Sequence, residues 1–221
     1  KQDLMEHLKL PEDKIEVIYP VLSHDFKPVS SSLSSNFAQR YGLSRDCHWL
    51  MISGREYYKN HDTCLAVFKQ LIEESDLNIR LIKTGLPSPD FDKQVCNLGL
   101  QQHVTQLFLQ QFSELPLLYN FVDCLLFPSL YEGFGMPVAE ALACGTPVVT
   151  SNRGSLPEVG GALAKQCDAL DVDGLSQLVL TVLADETIKE TLLQDGPLWC
   201  DQFRAPTITD KYQKLYSSML S

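Results

Sequence analysis

Short, continuously apolar runs separated by amphipathic segments constrain this chain more than any other feature. The runs are Ile15–Tyr19, Trp49–Ser53, Ile79–Thr84, Val104–Phe108, Cys124–Pro128, Val148–Ser151 and Ala162–Lys165. They are bounded by Gly, Pro, Ser or Asn and mostly do not alternate between apolar and polar. A strand with one wet face alternates, whereas a strand of a parallel sheet covered on both faces reads as an unbroken apolar run. Between the runs lie Asp62–Glu74, Asp90–Leu98, Leu115–Phe121, Pro137–Ala143 and Asp173–Ala184, whose apolar positions recur at helical spacing. Strand and helix in alternation imply right-handed crossovers and an α/β fold, a Rossmann-like doubly wound parallel sheet. In such sheets ligands bind in the crevice at the carboxyl ends of the strands.

Two regions fall outside the alternation. The serine-rich Pro28–Ser35 reads as an exposed connection, so residues 1–35 are expected to be a lead-in to a domain over 36–204. The tail from Pro206 carries Tyr212, Leu215, Tyr216 and Met219 at helical spacing, an apolar stripe that needs a surface to cover.

Charge narrows the partners. With 18 Lys and Arg against 28 Asp and Glu among 221 residues, the net charge of -10 repels nucleic-acid backbones and anionic lipid, so no nucleic-acid partner is expected. Even the apolar Leu117–Phe127 is broken by Asn120 and Asp123, well short of the about 20 residues a spanning helix needs. The first residues, Lys1-Gln2-Asp3-Leu4, have neither an initiator Met nor a signal pattern, and a processed protein or a piece of a longer chain is expected. The 7 cysteines are odd in number and dispersed with no Cys-x-x-Cys pair, which suits free thiols in a reducing compartment and a cytoplasmic location. The 5 histidines are scattered without ligand spacing, so no metal is assigned.

The densest chemical signal is the passage Cys124-Leu125-Leu126-Phe127-Pro128-Ser129-Leu130-Tyr131-Glu132-Gly133-Phe134-Gly135-Met136-Pro137-Val138-Ala139-Glu140. A strand ends at Pro128, a loop with two glycines follows, and Pro137 suits a first helical turn. Backbone N–H groups at Gly133 and Gly135 can approach an anion at the positive end of that helix. A plain structural turn explains the same residues, and Val138 stands where a dinucleotide fingerprint has its third glycine. Glu132 in the loop and Glu140 in the first helical turn add a second chemistry. Carboxylates accept paired hydrogen bonds from vicinal diols, so one could take a ribose and the other a sugar ring, with loop amides on phosphates between them.

The spacing of Glu132 and Glu140 resembles the Glu-x7-Glu motif of the retaining family-4 glycosyltransferases (glycosyl transferases group 1), and the passage from Phe127 to Val149 is similar to that family's core. Ser151-Asn152-Arg153-Gly154-Ser155-Leu156-Pro157-Glu158-Val159-Gly160-Gly161 is similar to the stretch that follows, and Ser53-Gly54-Arg55 through Lys59-Asn60 resembles the family's Gly-Arg…Lys segment. The resemblance implies one half of a two-domain GT-B fold, the half that binds the nucleoside diphosphate sugar. It implies that Arg55 and Lys59 grip the diphosphate, and that Glu132 is the catalytic carboxylate against the transferred sugar. Gly133, Phe134, Gly135, Met136 and Val138 would line the donor, and Glu140 would hold the ribose. It further implies transfer with retention to a sugar, lipid-linked sugar or other hydroxyl acceptor, with no metal and no cofactor besides the donor. Residues 205–221 would form the helix that crosses back to an N-terminal domain, and a fragment lacking that domain would be inactive alone. In a full-length protein, peripheral contact with a membrane is compatible with this reading. A non-catalytic nucleotide-sugar binding module and a GT-B sugar-nucleotide 2-epimerase are the alternatives. An NAD-dependent dehydrogenase is disfavoured by the missing third glycine and by the lack of an acid about twenty residues on.

Overall fold

The computed structural model describes residues 1–220. Six strands, β1 (His48–Ile52), β2 (Ile79–Thr84), β3 (Val104–Leu107), β4 (Cys124–Phe127), β5 (Val148–Ser151) and β6 (Lys165–Cys167), form one sheet in the order β3-β2-β1-β4-β5-β6. Every pairing is parallel, with Ile52 opposite Lys83 and Leu50 opposite Cys124 on the two sides of β1. The chain winds outward from β1 to β3, then returns to β4 on the other flank of β1. That reversal makes the β1/β4 border the switch point, where the strand ends part and leave a crevice.

The helices are α1 (Gln2–Leu8), α2 (Ser31–Arg40), α3 (His61–Glu74), α4 (Pro89–Asn97), α5 (Leu115–Phe121), α6 (Met136–Ala143), α7 (Leu156–Gly160), α8 (Val172–Ala184), α9 (Glu186–Cys200) and α10 (Ala205–Leu220). Side chains alternate across the strands into two buried layers. Trp49, Met51, Ile82, Leu125 and Phe127 pack beneath α2, α5 and α6, whereas Leu50, Ile52, Leu81, Leu126 and Val149 pack beneath α3, α4 and α8. Both faces are therefore dry, which is why the runs read as continuous. Right-handed βα crossovers also aim the N-termini of α3 and α6 at the switch-point crevice.

Several expectations are corrected. Ile15–Tyr19 is not a strand, because its flanks are tied elsewhere: Leu22 N–H donates to Phe203 O at 2.8 Å, and Val29 N–H to Asn120 Oδ1 at 2.9 Å. The lead-in thus lies along the α9–α10 junction, with Tyr19 edge-on to Phe203 at 5.2 Å. Pro28–Ser35 is not an open connection, since α2 begins at Ser31 and buries Ser34, Phe37 and Ala38. Serine is a modest helix former, but burying Phe37 against Phe121 overrides that preference. This helix crosses the expected boundary at 35/36, and Leu22 and Phe26 share the core of the domain. The last strand begins at Lys165, so Ala162–Lys165 is displaced toward the C-terminus, and β3 ends before the exposed Phe108.

Helix α9 has no counterpart in the sequence reading, because Gly196 and Pro197 are breaker signals inside it. Close packing accounts for the glycine, since a Cβ at Gly196 would stand 2.1 Å from Leu142 O of α6. The tail is helical through Leu220 with Tyr212, Tyr216 and Met219 exposed, and Ser221 lies outside the described residues. Of the cysteines, Cys64, Cys124, Cys144 and Cys200 are buried, Cys47 and Cys167 half-buried and Cys96 exposed; all are free thiols.

Candidate functional site

At the carboxyl end of β1 the chain passes Gly54, Arg55 and Glu56, makes one 3-10 turn over Tyr57–Lys59, and enters α3 through Asn60. Asn60 sits in the left-handed region at φ 58, a conformation Asn tolerates. Its side chain makes the connection specific: Nδ2 donates to Pro128 O at 3.0 Å and to Ala169 O at 2.8 Å, while Oδ1 accepts from Thr63 Oγ1 at 2.9 Å. One buried amide therefore ties the loop after β1 to the loops after β4 and β6. Leu130 N–H donates to Tyr58 O at 2.8 Å and fastens the same two loops again.

This anchoring brings Lys59 to Glu132. The ammonium lies 2.8 Å from Glu132 Oε1, with the two side chains only 11% and 10% exposed, and 4.6 Å over the Phe127 ring. A pair this far from water is screened much less than a surface pair. An ammonium has three donors, so Glu132 occupies one and leaves capacity for an anionic ligand. Arg55, on the same loop, is exposed; its guanidinium makes no salt bridge among the described residues, while its backbone N–H donates to Glu56 Oε2 at 3.1 Å. The N–H groups of Arg55 and Glu56 hold the Glu56 carboxyl below its ordinary range.

The loop from Glu132 to Gly135 is held by one hydroxyl. Ser155 Oγ donates to Phe134 O at 2.8 Å and reaches Glu132 O at 3.0 Å. With its carbonyls turned to Ser155, the N–H groups of Gly133, Phe134 and Gly135 make no hydrogen bond among the described residues. Gly135 has φ 95, and a Cβ there would come 2.6 Å from Leu156 Cδ2, so only glycine permits this entry to α6. Uncommitted N–H groups beside the positive end of α6 form an anion-accepting edge.

Glu140 lies in the second turn of α6, not the first, and is buried. Tyr119 Oη donates to Glu140 Oε2 at 2.9 Å. Burial raises the Glu140 carboxyl to about 7, against the lowering effects of the Tyr119 hydrogen bond and of the Lys59 charge. Burial, with Glu140 adjacent, pushes the Tyr119 phenol well above its ordinary value. Beneath the loop, Thr150 Oγ1 donates to Phe127 O at 2.7 Å and Ser151 Oγ to Ser129 O at 2.6 Å, while the buried Ser129 Oγ has no hydrogen-bond partner among the described residues.

Lys59, Glu132, Gly133, Gly135 and Glu140 thus converge at the switch point, with Arg55 at the rim. Phe134 turns its ring away, 5.7 Å from Tyr19 and 5.1 Å from Phe203, so that only its backbone meets the crevice. Met136 packs on the core. Val138 is fully buried and its N–H donates to Gly135 O at 2.9 Å, so the structure turns it away from the crevice despite its place in the motif. Sequence reasoning passed over Asn60, Tyr119 and Ser155 as site residues. Asn60 and Ser155 lie inside passages already quoted for the resemblance; Tyr119 offered no signal of its own.

A groove of about 680 Å³ lies elsewhere, between α3, α4 and α8. Asp62, Glu73, Glu74 and Asp173 line it, and its Lys69 is paired with Glu73 at 3.6 Å, a setting that repels phosphate. No group of three or more His, Cys, Asp or Glu among the described residues is arranged to hold a metal ion.

Known proteins share this fold. O-antigen chain mannosyltransferase B of Escherichia coli is 31% identical over 206 residues, covering 92% of this chain and 54% of that protein. A glycosyltransferase from Rickettsia africae superposes with a TM-score of 0.88 at 19% identity, over 100% of this chain and 61% of that one. Anabaena HepE, solved with UDP-glucose, gives a TM-score of 0.83 at 21% identity, over 98% and 61% of the two chains. The chain spans about half or less of the length of the curated relatives it matches. The family model described as glycosyl transferases group 1 matches residues 40–195, and the chain belongs to that family.

Proposed function

We propose that this chain is the donor half of a glycosyltransferase, a domain that binds a nucleoside diphosphate sugar for transfer with retention to an acceptor hydroxyl. The carrying observation is the switch-point cluster: Lys59 paired with Glu132 at 2.8 Å beside three uncommitted loop N–H groups, with Glu140 beneath. Arg55 and Lys59 contact the diphosphate, and the N–H groups of Gly133, Phe134 and Gly135 complete its shell. As the glycosyl bond breaks, charge accumulates on the leaving phosphate. These fixed donors and the α6 terminus stabilise that charge without reorganising. Glu132, oriented by Lys59, faces the transferred sugar, and Glu140 accepts from the ribose hydroxyls.

The names of the relatives support this reading: a mannosyltransferase for the E. coli protein, and a UDP-glucose complex for HepE. In the same reading, α10 leaves the domain toward an N-terminal domain that binds the sugar, lipid-linked sugar or other acceptor. No described helix is long and apolar enough to cross a membrane. The test is a calorimetric titration of the chain with UDP, GDP, ADP and their glucose and mannose derivatives. At least one is expected to bind, and Glu140→Ala to weaken it. Binding of none overturns the reading.

A further inference from the structure

The buried phenol of Tyr119 has no part in the proposed chemistry, yet it is fixed from several sides. Its carbonyl accepts from Thr146 Oγ1 at 2.6 Å, its ring stands edge-on to Phe26 at 6.0 Å, and its hydroxyl reaches Glu140 Oε2. Glu140 Oε1 accepts no hydrogen bond among the described residues. A carboxylate with one oxygen clamped has its other oxygen directed, which a freely rotating carboxylate lacks.

We propose that Tyr119 is the positioning residue of the donor site, holding Glu140 ionised and oriented so that Oε1 is the acceptor for the vicinal diol of the donor's ribose. This rests on the assignment of Glu140 to the ribose. The physical need is clear, because burial drives this carboxyl toward its neutral form, and a neutral carboxyl is the poorer acceptor. The groups facing the pair are few. Lys59 approaches Glu140 from the turn after β1, and Cys144, the residue that caps the end of α6, faces both Glu140 and Tyr119. Beyond Cys144 lie Cys200 of α9 and Arg204 before α10. Of these, only Tyr119 donates a hydrogen bond to the carboxylate.

The experiment follows UDP and GDP affinity from pH 5.5 to 9 for the wild-type chain, Tyr119→Phe and Glu140→Gln. Wild-type affinity is expected to rise with pH through about 7. Tyr119→Phe should bind about tenfold more weakly at pH 7 and recover at higher pH, its midpoint displaced upward by about one unit. Glu140→Gln should bind weakly at every pH. If Glu140→Gln binds like wild type, the ribose assignment itself fails. If it binds weakly while Tyr119→Phe keeps the wild-type affinity and profile, Glu140 stands and the role of Tyr119 is overturned.

A ligand-free readout covers the case in which Tyr119→Phe does not fold. The Glu140 carboxyl is titrated by carbon-13 NMR, assigned with Glu140→Gln, in chain carrying 3-fluorotyrosine, a stronger donor. A midpoint below that of unlabelled chain supports the proposal, and an unmoved midpoint overturns it.

Discussion

The two ends of the sheet hold similar residue types and use them oppositely. At the amino ends, Asp123 Oδ2 accepts from Trp49 N–H at 2.8 Å, and Arg45 donates to Phe121 O at 2.8 Å and to Ser34 Oγ at 3.2 Å. There charge closes backbone and cements the fold. At the carboxyl ends of β1 and β4, Lys59 and Glu132 meet each other across the switch point, and backbone N–H groups beside them stay uncommitted. Helix direction explains the contrast, since βα crossovers bring positive helix ends to the second location and negative ends to the first. A charged residue in this fold is therefore read by the end it occupies.

Breaking the carboxyl end should cost most. Gly135→Val forces a side chain into the left-handed region and against Leu156, and thermal unfolding should register a loss of about 3 kcal/mol or more. Next comes a pH effect of definite sign. The folded Glu140 carboxyl sits above its unfolded value, so its contribution to stability is full below about 4.3 and is lost as pH rises through about 7. Denaturant titrations should show Glu140→Gln lacking that decline, and gaining about 2–3 kcal/mol over wild type by pH 8. If wild type and variant run parallel across this range, the buried carboxyl is not strained as described.

The smallest effects compare the two lysines. Lys59→Ala should weaken nucleoside diphosphate binding about tenfold, because a charge-assisted contact is lost and Glu132 is left unpaired. Lys189 lies 3.6 Å from Asp123 at the amino end with 35% of its side chain exposed. Lys189→Ala should leave affinity unchanged and stability within about 0.5 kcal/mol. Equal effects of the two on affinity would erase the distinction between the ends.

The sheet and its carboxyl-end site were largely legible because they are written in local pattern. Apolar runs mark strands covered on both faces, and the Glu132–Glu140 passage carries its turn, its helix start and its two acids in consecutive residues. What escaped depends on distant partners. Helix α2 exists because Phe37 finds Phe121, against a serine-rich composition. Helix α9 tolerates Gly196 because α6 approaches there. The run at Ile15–Tyr19 looked like a strand, but the neighbouring backbone is engaged by Phe203 and Asn120 instead of a sheet edge. Val138 matched a motif position while its side chain faces the core. Tyr119 becomes visible only once α5 lies against α6, 21 positions away in sequence from the carboxylate it holds.

The most direct test of the proposed donor site is an amide NMR titration of the chain with whichever of UDP, GDP or ADP binds. The largest shifts are predicted at Lys59, Gly133, Phe134 and Gly135, with the groove lined by Asp62, Glu73 and Gln94 undisturbed. Saturable shifts confined to that groove, or to His48, Asp123 and Lys189 at the amino ends, would contradict the assignment.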